Sequence, residues 1–326
     1  MRAHLGLPLE ASTPSASIDV TFRMIPMFEE KVLEHRDGHY VVQDWKGNVC
    51  EISDQFDVTY LRQAKDFVTR RWIRCPVANR DDWEQMKQRY TLDSPGRFDA
   101  DFAAAALRAR SAGKLLYTSF PGPFWQMREW CGFEGLCFMM VEQPDLVAEM
   151  AGFWTAHVSG MLARMLSDVV PDVVHISEDM AYKEKAMISP AMTREFCMPS
   201  WRMWSRQARS AGVSILDMDS DGFIGGLIPL WIESGINVCD PVEVAAGNDI
   251  AQFHRQYGTA MGYVGGADKR AMARGGEVLH QEMRRLEPVV HSGGYIPGCD
   301  HGIPSDVPWA NMLDYCSQLA RITGWL

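Results

Sequence analysis

The sequence contains no CxxC pair, no GxGxxG or GxxxxGK[ST] phosphate loop and no surplus of basic charge. No apolar run reaches the ~18 residues that a membrane span requires. Each absence excludes something. Without paired cysteines, the eight thiols scattered at Cys50, Cys75, Cys131, Cys137, Cys197, Cys239, Cys299 and Cys316 point to a reduced, cytoplasmic protein and not to a disulfide framework. Without the glycine loops, nucleotide binding has no local signature. Lys and Arg number 32 against 42 Asp and Glu, a net charge of −10, which argues against nucleic acid as a partner. The opening residues, Met1 to Pro8, lack the long apolar core of a signal peptide. No low-complexity segment, Gly/Ser linker or short repeat divides the chain, so residues 1–326 are expected to form one domain, with a strand, a hairpin and connecting segments in residues 1–95.

What is present is an ordinary globular composition, 47% hydrophobic and 23% charged. Twenty Met and eleven Trp favour an adaptable, aromatic-rich interior, as core packing in the simpler reading or as a pocket for a planar substrate. Ser17 to Met24 alternates as a strand does, and His39 to Ile52 has the pattern of a hairpin turning at Lys46-Gly47-Asn48. Asp81 to Lys87 opens a helix with acidic residues, and Phe98 to Ala112 is Ala-rich and helical. Strands are then expected at Lys114–Phe120, Val173–Glu178, Val213–Asp217, Ile236–Asp240, Met261–Gly265 and Gly294–Pro297. Helical stretches separate them at Gly135–Leu166, Ser189–Ala211, Ile224–Ser234, Ala251–Tyr257, Lys269–Arg285 and Val307–Thr323. Strand and helix in alternation imply a parallel sheet. The expected fold is an α/β (β/α)8 TIM barrel whose first strand is lacking or altered, because only seven strands are found.

In such a barrel the chemistry gathers at the C-terminal ends of the strands. Val213-Ser214-Ile215-Leu216-Asp217-Met218-Asp219-Ser220-Asp221-Gly222 ends in acids beside a glycine turn. Asp217 and Asp219 are two apart and share a face if the strand continues that far; Asp219 serves equally as part of a polar turn. Cys299 and His301 repeat that spacing after Gly293-Gly294-Tyr295-Ile296-Pro297-Gly298. Cys299 is a candidate ligand, and His301 a candidate ligand, general acid or loop hydrogen-bonder. Glu178, on the face of Val174 and Ile176, is a candidate general acid, or else pairs with Lys183 or Lys185. Asp240 ends its strand in the same way and would line the pocket floor. Asp268 either contacts substrate or caps the next helix. The loop from Phe120 to Trp125 either walls an aryl substrate, through Phe120 and Trp125, or packs the rim.

Four segments resemble the uroporphyrinogen decarboxylase superfamily: Ile188-Ser189-Pro190 with Phe196 and Pro199; Leu227 to Asn237 running into Asp240-Pro241-Val242-Glu243; Gly265 to Arg270; and Gly293-Gly294-Tyr295-Ile296-Pro297 continuing through Asp300-His301-Gly302 to Asn311. The resemblance implies a (β/α)8 barrel. The Arg-rich opening motif with which the haem-pathway decarboxylase grips carboxylates has no counterpart in the sequence, so the chain is more similar to the branch of corrinoid-dependent methyltransferases. In that branch a His-x-Cys pair and a later Cys hold zinc. Asp217-Met218-Asp219 stands where the pair is expected and Cys299 where the third ligand is, so the resemblance implies a metal at Asp217, Asp219 and Cys299. Oxygen donors in place of sulfur suit a harder metal and a stronger Lewis acid.

The expected function is therefore that of a methyltransferase in a corrinoid-dependent demethylation system. A small methylated compound, an aryl methyl ether being the favoured case, would pass its methyl group to a Co(I) corrinoid on a partner protein. The alternatives are a metal-free decarboxylase or lyase of the same fold and a non-catalytic ligand-binding barrel. Neither nucleic acid nor membrane is expected as a partner, and self-association into a homo-oligomer stays open.

Overall fold

The computed structural model describes residues 14–55 and 70–326. In chain order its strands are β1 (Ser15–Ser17), β2 (Lys31–Arg36), β3 (His39–Gln43), β4 (Val49–Ser53), β5 (Arg71–Arg74), β6 (Leu115–Pro121), β7 (Val173–Ser177), β8 (Ile215–Asp219), β9 (Val238–Asp240), β10 (Gly262–Ala267) and β11 (Tyr295–Cys299). The chain forms two compact units. Of the described residues, those up to 19, 100–122 and 162–326 make the first unit, and 20–99 with 123–161 make the second.

The first unit is built on a seven-stranded sheet in the order β1-β6-β7-β8-β9-β10-β11. Every neighbouring pair is parallel. This is the α/β TIM-barrel variant the sequence leads one to expect, with seven strands among the described residues. The first strand is shifted from its expected place: Ser15–Ser17 pairs with Leu115–Tyr117. The backbone four residues further on is engaged elsewhere, with Thr21 N–H donating to the Arg97 carbonyl at 2.8 Å.

The sheet has two chemically distinct faces. Residues paired in register on neighbouring strands point the same way, and alternate residues along a strand point oppositely. Phe120 pairs with Ile176, Ile176 with Met218, and Met218 with Cys239. All four are buried, so this face is the core against which the helices pack. The other face carries Ser119 beside His175 and His175 beside Asp217; one step on, Ser177 lies beside Asp219 and Asp219 beside Asp240. One parity stabilises the sheet while the other is free to carry polar groups.

Two of the expected helices are broken. Gly135–Leu166 is in fact Phe133–Glu142 followed by Pro144–Asp168. Pro144 lacks the N–H that a continuing helix needs but fits a first turn. Lys269–Arg285 is Lys269–Arg274 and then Gly276–Ser292. Gly275 and Gly276, at φ +67° and +53°, turn the chain between the two.

The second unit carries the antiparallel sheet β2-β3-β4-β5, and the expected hairpin is β3 and β4, paired from His39–Ser53 to Gln43–Val49. Asn79, not the acidic residues after it, caps the helix Arg80–Lys87 by accepting from Asp82 N–H at 3.0 Å. The core of this unit is aromatic. Trp130 lies 4.8 Å from Trp83 and 5.9 Å from Trp154, ring to ring. Its indole N–H donates to the Tyr90 hydroxyl at 2.9 Å. Together with Trp201, Trp204 and Trp231 of the first unit these indoles are fully buried, so much of the tryptophan is core and not pocket wall. Among the described residues no helix is long and apolar enough to cross a membrane. All eight cysteines are free.

Candidate active site

Three neighbouring strands bring His175, Asp217 and Asp240 together, with one donor atom from each lying within 4.8 Å of the others. Register accounts for the meeting. His175 and Asp217 are paired on β7 and β8, while Asp240 pairs with Asp219 one side chain further along the same face. Asp217 Oδ2 is 2.7 Å from His175 Nδ1. Asp217 is 8% exposed, and its second oxygen, Oδ1, has no hydrogen-bond partner. Oδ1 of Asp240 is likewise buried without a partner.

The electrostatics follow from crowding acids in a desolvated place. Burial, then the charge of Asp217, pushes Asp240 up to about 7. Burial and the neighbouring acids Asp221, Asp179 and Asp217 raise Asp219 to about 6, against the pull of His175. Burial alone would lower His175, but the hydrogen bond it donates to Asp217 and the charges of Asp217, Asp240 and Asp219 outweigh it and raise the imidazole to about 9. The backbone is strained where these strands end. Asp179 sits at φ +40° after Glu178, and Val242, a β-branched residue, at φ +54° two residues after Asp240.

The other expected site residues fall in several places. His301 Nδ1 and Asp221 Oδ1 lie 3.3 Å apart, both side chains half-exposed. The charge of Asp221 is felt at both Asp219 and Asp240, so this pair borders the cluster. Burial raises Asp221, and His301 opposes the rise. Glu178 is fully buried and accepts a 2.6 Å hydrogen bond from the Trp201 indole. It follows the parity of Val174 and Ile176, which is the core face and not the polar one, so the expectation that this parity opens to the mouth is corrected by the register. Gly122 packs so closely on the Glu178 carboxyl that no Cβ fits there.

Cys299 is not part of the cluster. Its strand enters the sheet with Tyr295 paired to Tyr263 and Tyr263 to Cys239, which is the core-facing row. The thiol lies 3.9 Å from Asp300 Oδ1 and close enough to Tyr315 of the last helix for its charge to be felt there. Burial raises the thiol above its ordinary range. Asp300 is a tie between loops, accepting from Val244 N–H at 2.9 Å and Lys269 N–H at 3.1 Å. Asp268 caps the helix Lys269–Arg274 and grips Arg270 through both oxygens. Burial works against its charge, but Arg270 more than compensates and holds it below the usual carboxylate range. Phe120 is buried edge-on to Trp204 at 5.2 Å. Trp125, in the second unit, is half-buried with the Arg128 guanidinium 4.5 Å over its ring. His175 has no sequence signal of its own: it sits inside an apolar strand run, and its partner Asp217 is 42 residues away.

Comparison with known proteins places this architecture. Residues 72–319 match the family model described as Uroporphyrinogen decarboxylase (URO-D). The chain belongs to the uroporphyrinogen decarboxylase family. A solved methyltransferase from Methanosarcina mazei is similar in fold, with a TM-score of 0.54 at 14% identity over 78% of this chain and 72% of that one. No curated protein sequence matches the chain.

Proposed function

We propose that the protein is a methyltransferase that moves a methyl group from a small methylated compound, such as an aryl methyl ether, to a Co(I) corrinoid carried by a partner protein. The observation that carries this reading is the sign of the charge at the strand ends. Asp217, Asp219 and Asp240 line the polar face of the sheet with the His175 imidazole among them. A decarboxylase acting on a polycarboxylate would need cations there, because like charges repel strongly in a site of low dielectric. A neutral or cationic methyl donor meets no such penalty. The fold of a methyltransferase from Methanosarcina mazei is consistent with this class of reaction.

In this reaction the carbon–oxygen bond of the donor breaks, the methyl group joins cobalt in line, and the departing oxygen must gain a proton or a positive partner. The chain offers two ways of meeting that need. His301, oriented by Asp221, can deliver a proton from the rim. The unpartnered oxygens of Asp217 and Asp240, with His175, are a donor set that fits a divalent cation, which when bound would supply Lewis acidity to the oxygen. The two acids and the imidazole would hold that cation, and the strained strand ends would fix their positions. The reading is tested by mixing the purified chain with reduced cob(I)alamin and a panel of methyl ethers, methylamines and thioethers, and following loss of the Co(I) spectrum. Methylated corrinoid formed with one donor class supports it. No transfer from any donor in the panel sinks it.

A further inference from the structure

Among the described residues, the donors that converge are not the expected Asp217, Asp219 and Cys299. Cys299 belongs to the core-facing row of β11 and lies near Tyr315. A different set converges instead. Asp217 is more than nine-tenths buried, hydrogen-bonded through Oδ2 to His175, and its Oδ1 is unpartnered within the cluster. Asp240 adds a second carboxylate with a buried, unpartnered oxygen. Two buried carboxylate oxygens without hydrogen-bond partners, set beside one imidazole, are costly unless a cation takes up their lone pairs.

We propose that His175, Asp217 and Asp240 form a sulfur-free divalent-metal site on the polar face of the sheet. One nitrogen and two carboxylate ligands suit Mn²⁺, Fe²⁺, Co²⁺ or Zn²⁺ better than a thiophilic ion. Three protein ligands leave coordination positions for an oxygen of water or substrate, as in catalytic metal sites. The donors come from three adjacent strands of one sheet, so the hydrogen-bonded ladder fixes their spacing. Asp219, next along the same face, is outside the converging set and contributes charge without being a ligand.

The inference deepens the metal-assisted arm of the methyl-transfer reading, but its test does not depend on that reading, because the probe is Co²⁺ alone and the readouts are spectral and thermal. The full chain is stripped with chelator and titrated with Co²⁺, following visible absorption, elemental stoichiometry and Tm. The expected result is about one ion per chain, weak ligand-field bands without a near-ultraviolet thiolate charge-transfer band, and a rise in Tm with added metal. Asp240→Asn is expected to weaken binding at least about 100-fold, given that even outer-shell changes cost 10–100-fold. The metal-free Asp240→Asn variant should fold as stably as the parent or more so, because it relieves the crowding of acids. Should it fail to fold, His175→Asn provides the same test of binding. Cys299→Ser is expected to keep affinity and spectrum. A thiolate band, loss of binding in Cys299→Ser, unchanged binding in the ligand variants, or no binding by the folded parent chain at millimolar Co²⁺ overturns the proposal.

Discussion

At the scale of single residues, Gly122, Glu178 and Trp201 form a unit whose members can be separated. Gly122→Ala places a methyl group against the Glu178 carboxyl. Overpacking of this kind costs about 1–3 kcal/mol, so a lowered urea midpoint and altered tryptophan fluorescence are expected. Glu178→Gln keeps an acceptor for the Trp201 indole and should be tolerated, whereas Glu178→Ala strands that N–H and should cost about 1–3 kcal/mol. His157 gives a pH dependence. Burial, helped by the charge of Arg97, lowers its imidazole from 6.5 to about 4. The unfolded chain therefore binds the extra proton first: this contribution to stability is fully present above about pH 6.5 and lost as pH falls toward 4, up to about 3 kcal/mol. Urea unfolding across that window should show a shallower loss in His157→Gln than in the parent, and equal slopes would refute the assignment. Residue by residue, the site was only partly legible in the sequence. Asp217 and Asp240 stand out as acids ending apolar strands, but His175 is masked by its apolar neighbours, and only pairing of β7 with β8 reveals it.

At the scale of elements, the parallel strands were the most legible feature, because each is a short apolar run between helical stretches and six of them fall where expected. Helix continuity was less so: Pro144 and the pair Gly275-Gly276 punctuate stretches whose apolar periodicity runs straight through them. The parity of Glu178 and Cys299 was beyond reach, since it depends on which face of the sheet the helices cover. Some ties between elements are likewise invisible locally. Arg97, 1% exposed, donates to the carbonyls of Thr21, Arg23, Arg89 and Thr91 at 2.6–3.2 Å, joining two stretches of the second unit. Arg97→Met should leave several buried carbonyls unsatisfied and cost at least about 3 kcal/mol in urea unfolding. Arg97→Lys retains the charge but not the fork and should fall between the two. A loss below about 1 kcal/mol for Arg97→Met would show that water replaces the guanidinium.

At the scale of the whole molecule, family membership leaves the reaction open, and charge separates the candidates. A net charge of −10 combined with acidic strand ends should disfavour a polycarboxylate. An octacarboxylate porphyrin added at neutral pH is expected to give no saturable quenching of tryptophan fluorescence. Tight, saturable quenching would instead favour decarboxylation. The two-faced sheet has a consequence for how such a protein changes over time. Phe120, Ile176, Met218 and Cys239 hold the structure from one side, while the residues between them face the other. Exchanges on the polar side should therefore disturb folding less than exchanges on the packed side, so the chemistry of that face can be altered while its scaffold is kept.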